Sequence, residues 1–144
     1  MRKRPAKPAD ARQTALLAAA AAADKKAQEL TLLQVEELTG YADYFLLASG
    51  RSTRQAGAIA EAVLRMLKKA GVKPLGMDGL REGRWVLLDF GDLVVHVFHQ
   101  PVREFYDLDS LWADAPQVEM DPEELAGLMP SQEPEPETGK AGAG

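Results

Sequence analysis

The sequence predicts an α/β (α+β) domain, a mixed five-stranded sheet flanked by helices in the order α-β-β-α-β-β-β-α. Three observations carry that prediction. Apolar residues recur at helical spacing between Ile59 and Ala70, and short runs rich in Val, Leu and Phe are bounded by turn residues. The two patterns are also interleaved along the chain rather than segregated. With 144 residues, one domain with tails and a real core is expected.

The elements follow in order. Residues 1–12, "MRKRPAKPADAR", carry five basic groups, one acid and two prolines, which predicts a basic disordered arm. A helix is expected from about Asp10 to Gln28, across the apolar run Ala15–Ala23. The basic start and this run imitate a secretory signal, but alanine is weakly hydrophobic and Asp10, Arg12 and Gln13 precede it. A helix of the domain is the simpler reading. No stretch reaches the roughly 20 apolar residues of a membrane span, so a cytoplasmic protein without a membrane partner is expected.

"LTLLQV", Leu30–Val35, and "YFLLA", Tyr44–Ala48, read as strands, the second ended by Gly50. The best-specified helix follows. Ser52 and Gln55 form a capping box, and Ile59, Val63, Met66, Leu67 and Ala70 share one face. Glu61 and Arg65 are spaced as an i,i+4 pair, and Gly71 supplies the stop. A short strand at Pro74–Met77 leads through "DGLREGR" to the strands Trp85–Phe90 and Leu93–Phe98, joined at Gly91-Asp92. The last helix, "REFYDLDSLW", Arg103–Trp112, puts Phe105, Leu108 and Trp112 on one face and Tyr106 off it, beside Asp109. Residues 107–144 carry ten acids against the single Lys140. The boundaries are thus a basic arm at 1–12, a domain at 13–113 and an acidic Pro/Glu-rich tail at 114–144, in which "DPEELAGLM" forms at most a weak turn of helix.

The candidate chemistry is thin. No cysteine occurs, which excludes disulfides, thiolate catalysis and zinc–thiolate sites. His96 and His99, three apart in a strand, face opposite ways and cannot share a metal, and His96 reads as a hydrogen-bonded core histidine. In "DFGD", Asp89 and Asp92 bracket a hairpin tip. Mg²⁺ binding and plain turn chemistry both fit them, and turn chemistry needs less. "ASGRSTRQ" runs into a helix N-terminus with Arg51 and Arg54 beside it, which suits an anion, yet it lacks the P-loop ending. Trp85, at a strand start, and Tyr106 are aromatics near surface edges, either half-buried plugs or anchors for a partner.

"YADYFLLASGRSTRQ", "GVKPLGMDG", "RWVLLDFGDLVVHVF" and "REFYDLDSLW" resemble successive blocks of the Iojap-like ribosomal silencing factors, over about residues 13–113. The resemblance implies a nucleotidyltransferase-like fold without its catalytic motif, no enzymatic activity and no cofactor. It also implies binding to the large ribosomal subunit through the universal ribosomal protein fourteen, blocking small-subunit joining and repressing translation. The family's partner-contacting aromatics map onto Trp85 and Tyr106, with Glu104, Asp107 and Asp109 as acidic complements to a basic partner. The basic arm and the acidic tail lie outside the resemblance. Contact of the arm with ribosomal RNA is one reading of its charge, and solvation is the other. Two rivals remain: a nucleotide-handling enzyme using Asp89 or Asp92 with Arg51 or Arg54, and a homodimeric scaffold.

Overall fold

A parallel strand pair joins two antiparallel ones. In the computed structural model, which describes residues 10–129, β1 (Gln28–Gln34) pairs antiparallel with β2 (Tyr44–Gly50). Strand β2 lies parallel to β5 (Leu93–His99), which pairs antiparallel with β4 (Trp85–Asp89), and β4 carries the short edge strand β3 (Gly76–Asp78). The order β1-β2-β5-β4-β3 is the mixed five-stranded sheet that the sequence predicts. Strands β2 and β5 are buried at nearly every position, as near-continuous apolar runs covered on both faces must be.

One face is covered by α1 (Ala11–Asp24) and α3 (Thr53–Lys69). Ala18, Ala19 and Ala22 of α1, and Ala56, Ile59, Ala60 and Val63 of α3, are all fully buried. Residues 18–22 of α1 are buried without interruption, because the helix is enclosed by the sheet, by α3 and by a further helix, α6 (Pro122–Leu128). That enclosure explains a helix apolar nearly all round. Helix α3 starts as expected: Ser52 Oγ accepts from Gln55 N at 3.0 Å. The Gln55 carboxamide, however, accepts from Arg51 N (2.7 Å), one residue before the cap, and donates to the carbonyls of Lys25 and Lys26. It therefore ties the start of α3 to the end of α1. The Glu61–Arg65 pair is not formed; among the described residues the ion pair is Arg103–Asp109.

Three expectations need correction. Residues 114–129, read as part of a solvated tail, are laid against the domain. Val118 N donates to Leu32 O (2.8 Å) and Gln34 N to Pro116 O (2.9 Å), closing the outer edge of β1. Val118 and Leu125 are buried, and α6 is properly started by the Asp121 side chain, accepting from Glu123 N, and by Pro122. The segments 1–9 and 130–144, parts of the expected arm and tail, lie outside the described residues. Second, "REFYDLDSLW" is not one helix. Asp107 takes a left-handed conformation (φ 49°) and separates α4 (Gln100–Tyr106) from α5 (Leu108–Leu111). The shared face of Phe105, Leu108 and Trp112 is lost with it: Leu108 is buried, whereas Phe105 is 80% exposed. Third, a one-turn helix, α2 (Glu36–Thr39), stopped by left-handed Gly40, follows β1 where only a loop was expected.

Candidate functional site

The second sheet face carries the aromatic residues. Strand register places Trp85 beside Phe98, Leu87 beside His96 and Asp89 beside Val94 on β4 and β5. It continues with His96 beside Leu47 and Val94 beside Phe45 on β2. The alternation of a strand then puts Trp85, Leu87, Phe98, His96 and Phe45 on this face. Helices α4 and α5 and Trp112 cover only part of it.

His96 is the hub. Its ring lies 5.0 Å from Phe45, 5.6 Å from Trp112 and 6.0 Å from Phe98, the last in a near-parallel stack. Its Nδ1 accepts a hydrogen bond from Trp85 Nε1–H at 3.2 Å, which assigns the remaining proton to Nε2. Nε2 is buried and has no protein partner. Burial pushes the imidazole down to about 4, so it is neutral at neutral pH. The expectation of a hydrogen-bonded core histidine holds, and the bond goes to a candidate site residue.

Trp85 and Tyr106 come together. Their rings are 6.3 Å apart, with Trp85 36% and Tyr106 58% exposed. Phe105 adds its ring 5.0 Å from Tyr106, edge to face. The chain reaches Trp85 through Gly79, whose φ of 79° and close approach to the Trp85 carbonyl exclude any side chain at that turn. Tyr106, Phe105 and Val102 line a shallow groove whose other wall includes Arg84, His99 and Thr53. Sequence reasoning missed Phe105 because it assigned that ring to the inner face of an unbroken helix.

The three acids lie in another place. Glu104, Asp107 and Asp109 line a separate polar hollow with Glu29, Thr31 and Arg103. Asp109 is engaged within the fold: its carboxylate accepts from Arg103 Nε (2.8 Å) and Nη2 (2.9 Å). Arg103, 3% exposed, also donates through Nη1 to Glu29 O and Ser49 Oγ, each at 2.9 Å. A bulge in β1, with Glu29 at φ 50°, presents that carbonyl. The Arg103 hydrogen bond holds the Asp109 carboxyl below the usual carboxylate range. Glu104 accepts from Gln100, and Asp107 from Ser110 Oγ at 2.7 Å. Arg103, another residue the sequence reading missed, thus clips α4 and α5 onto β1 and β2. Its partners lie 54 and 74 residues away, so no local pattern marks it.

Of the enzyme-like candidates, Asp89 and the glycine before Arg51 have structural roles. Asp89 Oδ1 accepts from Gly91 N (2.8 Å), which is turn chemistry. Gly50 packs against the first turns of α3, where an added Cβ would stand 2.8 Å from Ala56 N, so this glycine serves close packing. Among the described residues no group of three or more His, Asp or Glu is placed to hold a metal ion, and no helix is long and apolar enough to cross a membrane.

Fold and site together define a small α+β domain whose mixed sheet presents a histidine-centred aromatic face with a partly exposed rim. Residues 8–142 match the family described as ribosomal silencing factor during starvation. The ribosomal silencing factor of Bacillus subtilis is 44% identical over 105 residues, covering 73% of this chain and 89% of that protein. A mouse protein named for mitochondrial assembly of the ribosomal large subunit is 33% identical over 91 residues, covering 61% of this chain and 40% of its own length. A crystal structure of a Chromobacterium violaceum protein, 38% identical, superposes with a TM-score of 0.70 over 72% of this chain and 87% of that one. The chain belongs to the ribosomal silencing factor family.

Proposed function

We propose that this protein binds the large ribosomal subunit through the universal ribosomal protein fourteen and sterically blocks joining of the small subunit, repressing translation without a cofactor. The observation that carries the reading is the contact between Trp85 and Tyr106 on an exposed rim of the sheet face. Rigid aromatics held side by side are the anchor type that dominates protein interfaces, because few rotamers are lost when they are covered. Family membership supports the ribosome as the target. Glu104 lies on the helix that carries Tyr106 and Asp107 ends it, and both would complement a basic partner, chiefly in encounter rate. Asp109 contributes by holding Arg103 and hence the helix that carries Tyr106.

The cytoplasm is the expected location. Residues 1–12 are proposed to touch ribosomal RNA, in which case deleting them lowers the salt dependence of binding. Self-association through the same rim would compete with the ribosome. The test is co-sedimentation of the chain with isolated large and small subunits, followed by a subunit-joining assay. Selective binding to the large subunit with loss of joined ribosomes is the expected result. Equal binding to both subunits, or joining that proceeds undisturbed at saturation, would count against the proposal.

A further inference from the structure

We infer that His96 is a positioning residue for the docking rim: it holds the Trp85 indole in its binding orientation in the unbound protein. The inference rests on the docking reading above and concerns how that site is prepared. Trp85 is 36% exposed at the rim, yet its N–H is turned inward onto a protein acceptor. That acceptor is buried. Nδ1 of His96, a residue only 5% exposed, takes the indole proton at 3.2 Å.

That arrangement is costly for the core. Position 96 is walled by Phe45, Phe98 and Trp112, a setting that by itself favours an apolar side chain. A histidine there gives up hydration and leaves Nε2 without a protein partner. What it provides is a fixed acceptor, braced on three sides by rings, at the inner end of the Trp85 side chain. Phe98, its ring centred 5.4 Å from the indole and tilted by 45° to it, supplies a side wall, and His96 supplies the direction. An aromatic anchor fixed before encounter loses less freedom on binding.

The test combines a reading of the free protein with an affinity. In the full-length ¹⁵N-labelled chain, the Trp85 indole N–H resonance is identified by its loss in Trp85→Phe. His96→Asn keeps an acceptor oxygen near the place of Nδ1, whereas His96→Leu and His96→Phe keep the bulk and remove the acceptor. The two apolar variants guard against one of them failing to fold. The expected result is slow solvent exchange of the indole N–H in the parent and in His96→Asn, and fast exchange in the apolar variants. Affinity for isolated large subunits falls about 5- to 10-fold in the apolar variants, the scale of one lost hydrogen bond. His96→Asn largely restores it, and in a Trp85→Phe background His96→Leu has no further effect.

A His96→Leu chain that binds like the parent, while Trp85→Ala weakens binding, overturns the inference and leaves the docking reading standing. Unchanged binding by Trp85→Ala sinks the docking reading itself, and the inference with it.

Discussion

The two faces of the sheet solve opposite problems. On the helical face, α1 and α3 meet through alanines and branched aliphatics that are wholly buried, and α6 seals the outside. Close approach of small residues gives cover with nothing left over. On the other face, Phe45, His96, Phe98 and Trp112 form an aromatic layer under two short helices, and Trp85, Tyr106 and Phe105 emerge at its rim. The first face is finished by the chain itself. The second is left partly open, and its rim is pinned from beneath by His96 and from the side by Arg103. On the docking reading proposed above, stability and recognition are separated in this fold, so substitutions on the two faces are expected to differ in kind.

The largest effect tests whether both faces are equally part of the core. Phe45→Ala and Ile59→Ala, one on each face, are each expected to cost about 3–5 kcal/mol by chemical denaturation. Only Phe45→Ala, which removes a wall of the His96 pocket, is expected to alter the Trp85 signal as well. Equal disturbance of that signal by both would break the comparison.

Truncation after Asp114 removes Val118 and Leu125, both buried, and uncovers α1 and the edge of β1. Two buried apolar side chains are worth about 3 kcal/mol together, so the melting temperature drops while a folded domain remains. A melt indistinguishable from that of the full chain would return residues 114–129 to the status of a tail.

Acid between pH 6.5 and about 4 tests the aromatic face. The His96 pKa falls from 6.5 to about 4 on burial, so between those values the unfolded chain binds a proton that the native one refuses. This contribution to stability is complete above pH 6.5 and is lost as pH falls toward 4, by on the order of 3 kcal/mol. The lowered carboxyl of Asp109 acts in the same direction at lower pH, its contribution vanishing as pH falls through its folded value. In His96→Leu the slope of stability between pH 4 and 6.5 flattens. An unchanged slope would mean that the histidine is solvated in solution.

Asp109→Ala is next, at about 2 kcal/mol, less than for a fully buried pair because the aspartate is half exposed. It leaves the Arg103 guanidinium with neutral acceptors only, loosens α4, and is expected to weaken ribosome binding through Tyr106 rather than through lost charge. Asp109→Glu separates the two, keeping the charge and changing the geometry. The smallest stability effect, about 1 kcal/mol or less, is expected for Tyr106→Ala at the exposed rim.

The helical face was the more legible in sequence. The Ser52–Gln55 start, the 3.6-residue pattern of α3 and the apolar runs of β2 and β5 are local signals, and local chemistry decided them. Trp85 and Tyr106 were visible as aromatics at element ends, although their contact was not. What stayed hidden depends on distant partners or on single backbone conformations. Arg103 is buried because a bulge at Glu29 and the hydroxyl of Ser49 await it from two strands. Asp107 breaks its helix by one left-handed residue, a conformation that aspartate tolerates but that its neighbours do not announce. Helix α6 had its signals in Asp121, Pro122 and Leu125, but the acidic composition around them outweighed the pattern.

The most direct test of the central claim is the affinity of the Trp85→Ala/Tyr106→Ala double variant for isolated large subunits. It is measured beside Tyr41→Ala, an exposed aromatic 6.2 Å from Phe45 on the same face but away from the rim. A loss of about 100-fold or more in the double variant, with the control binding like the parent, is the predicted result. Parent-like affinity in the double variant would contradict the account and move the docking surface elsewhere on the molecule.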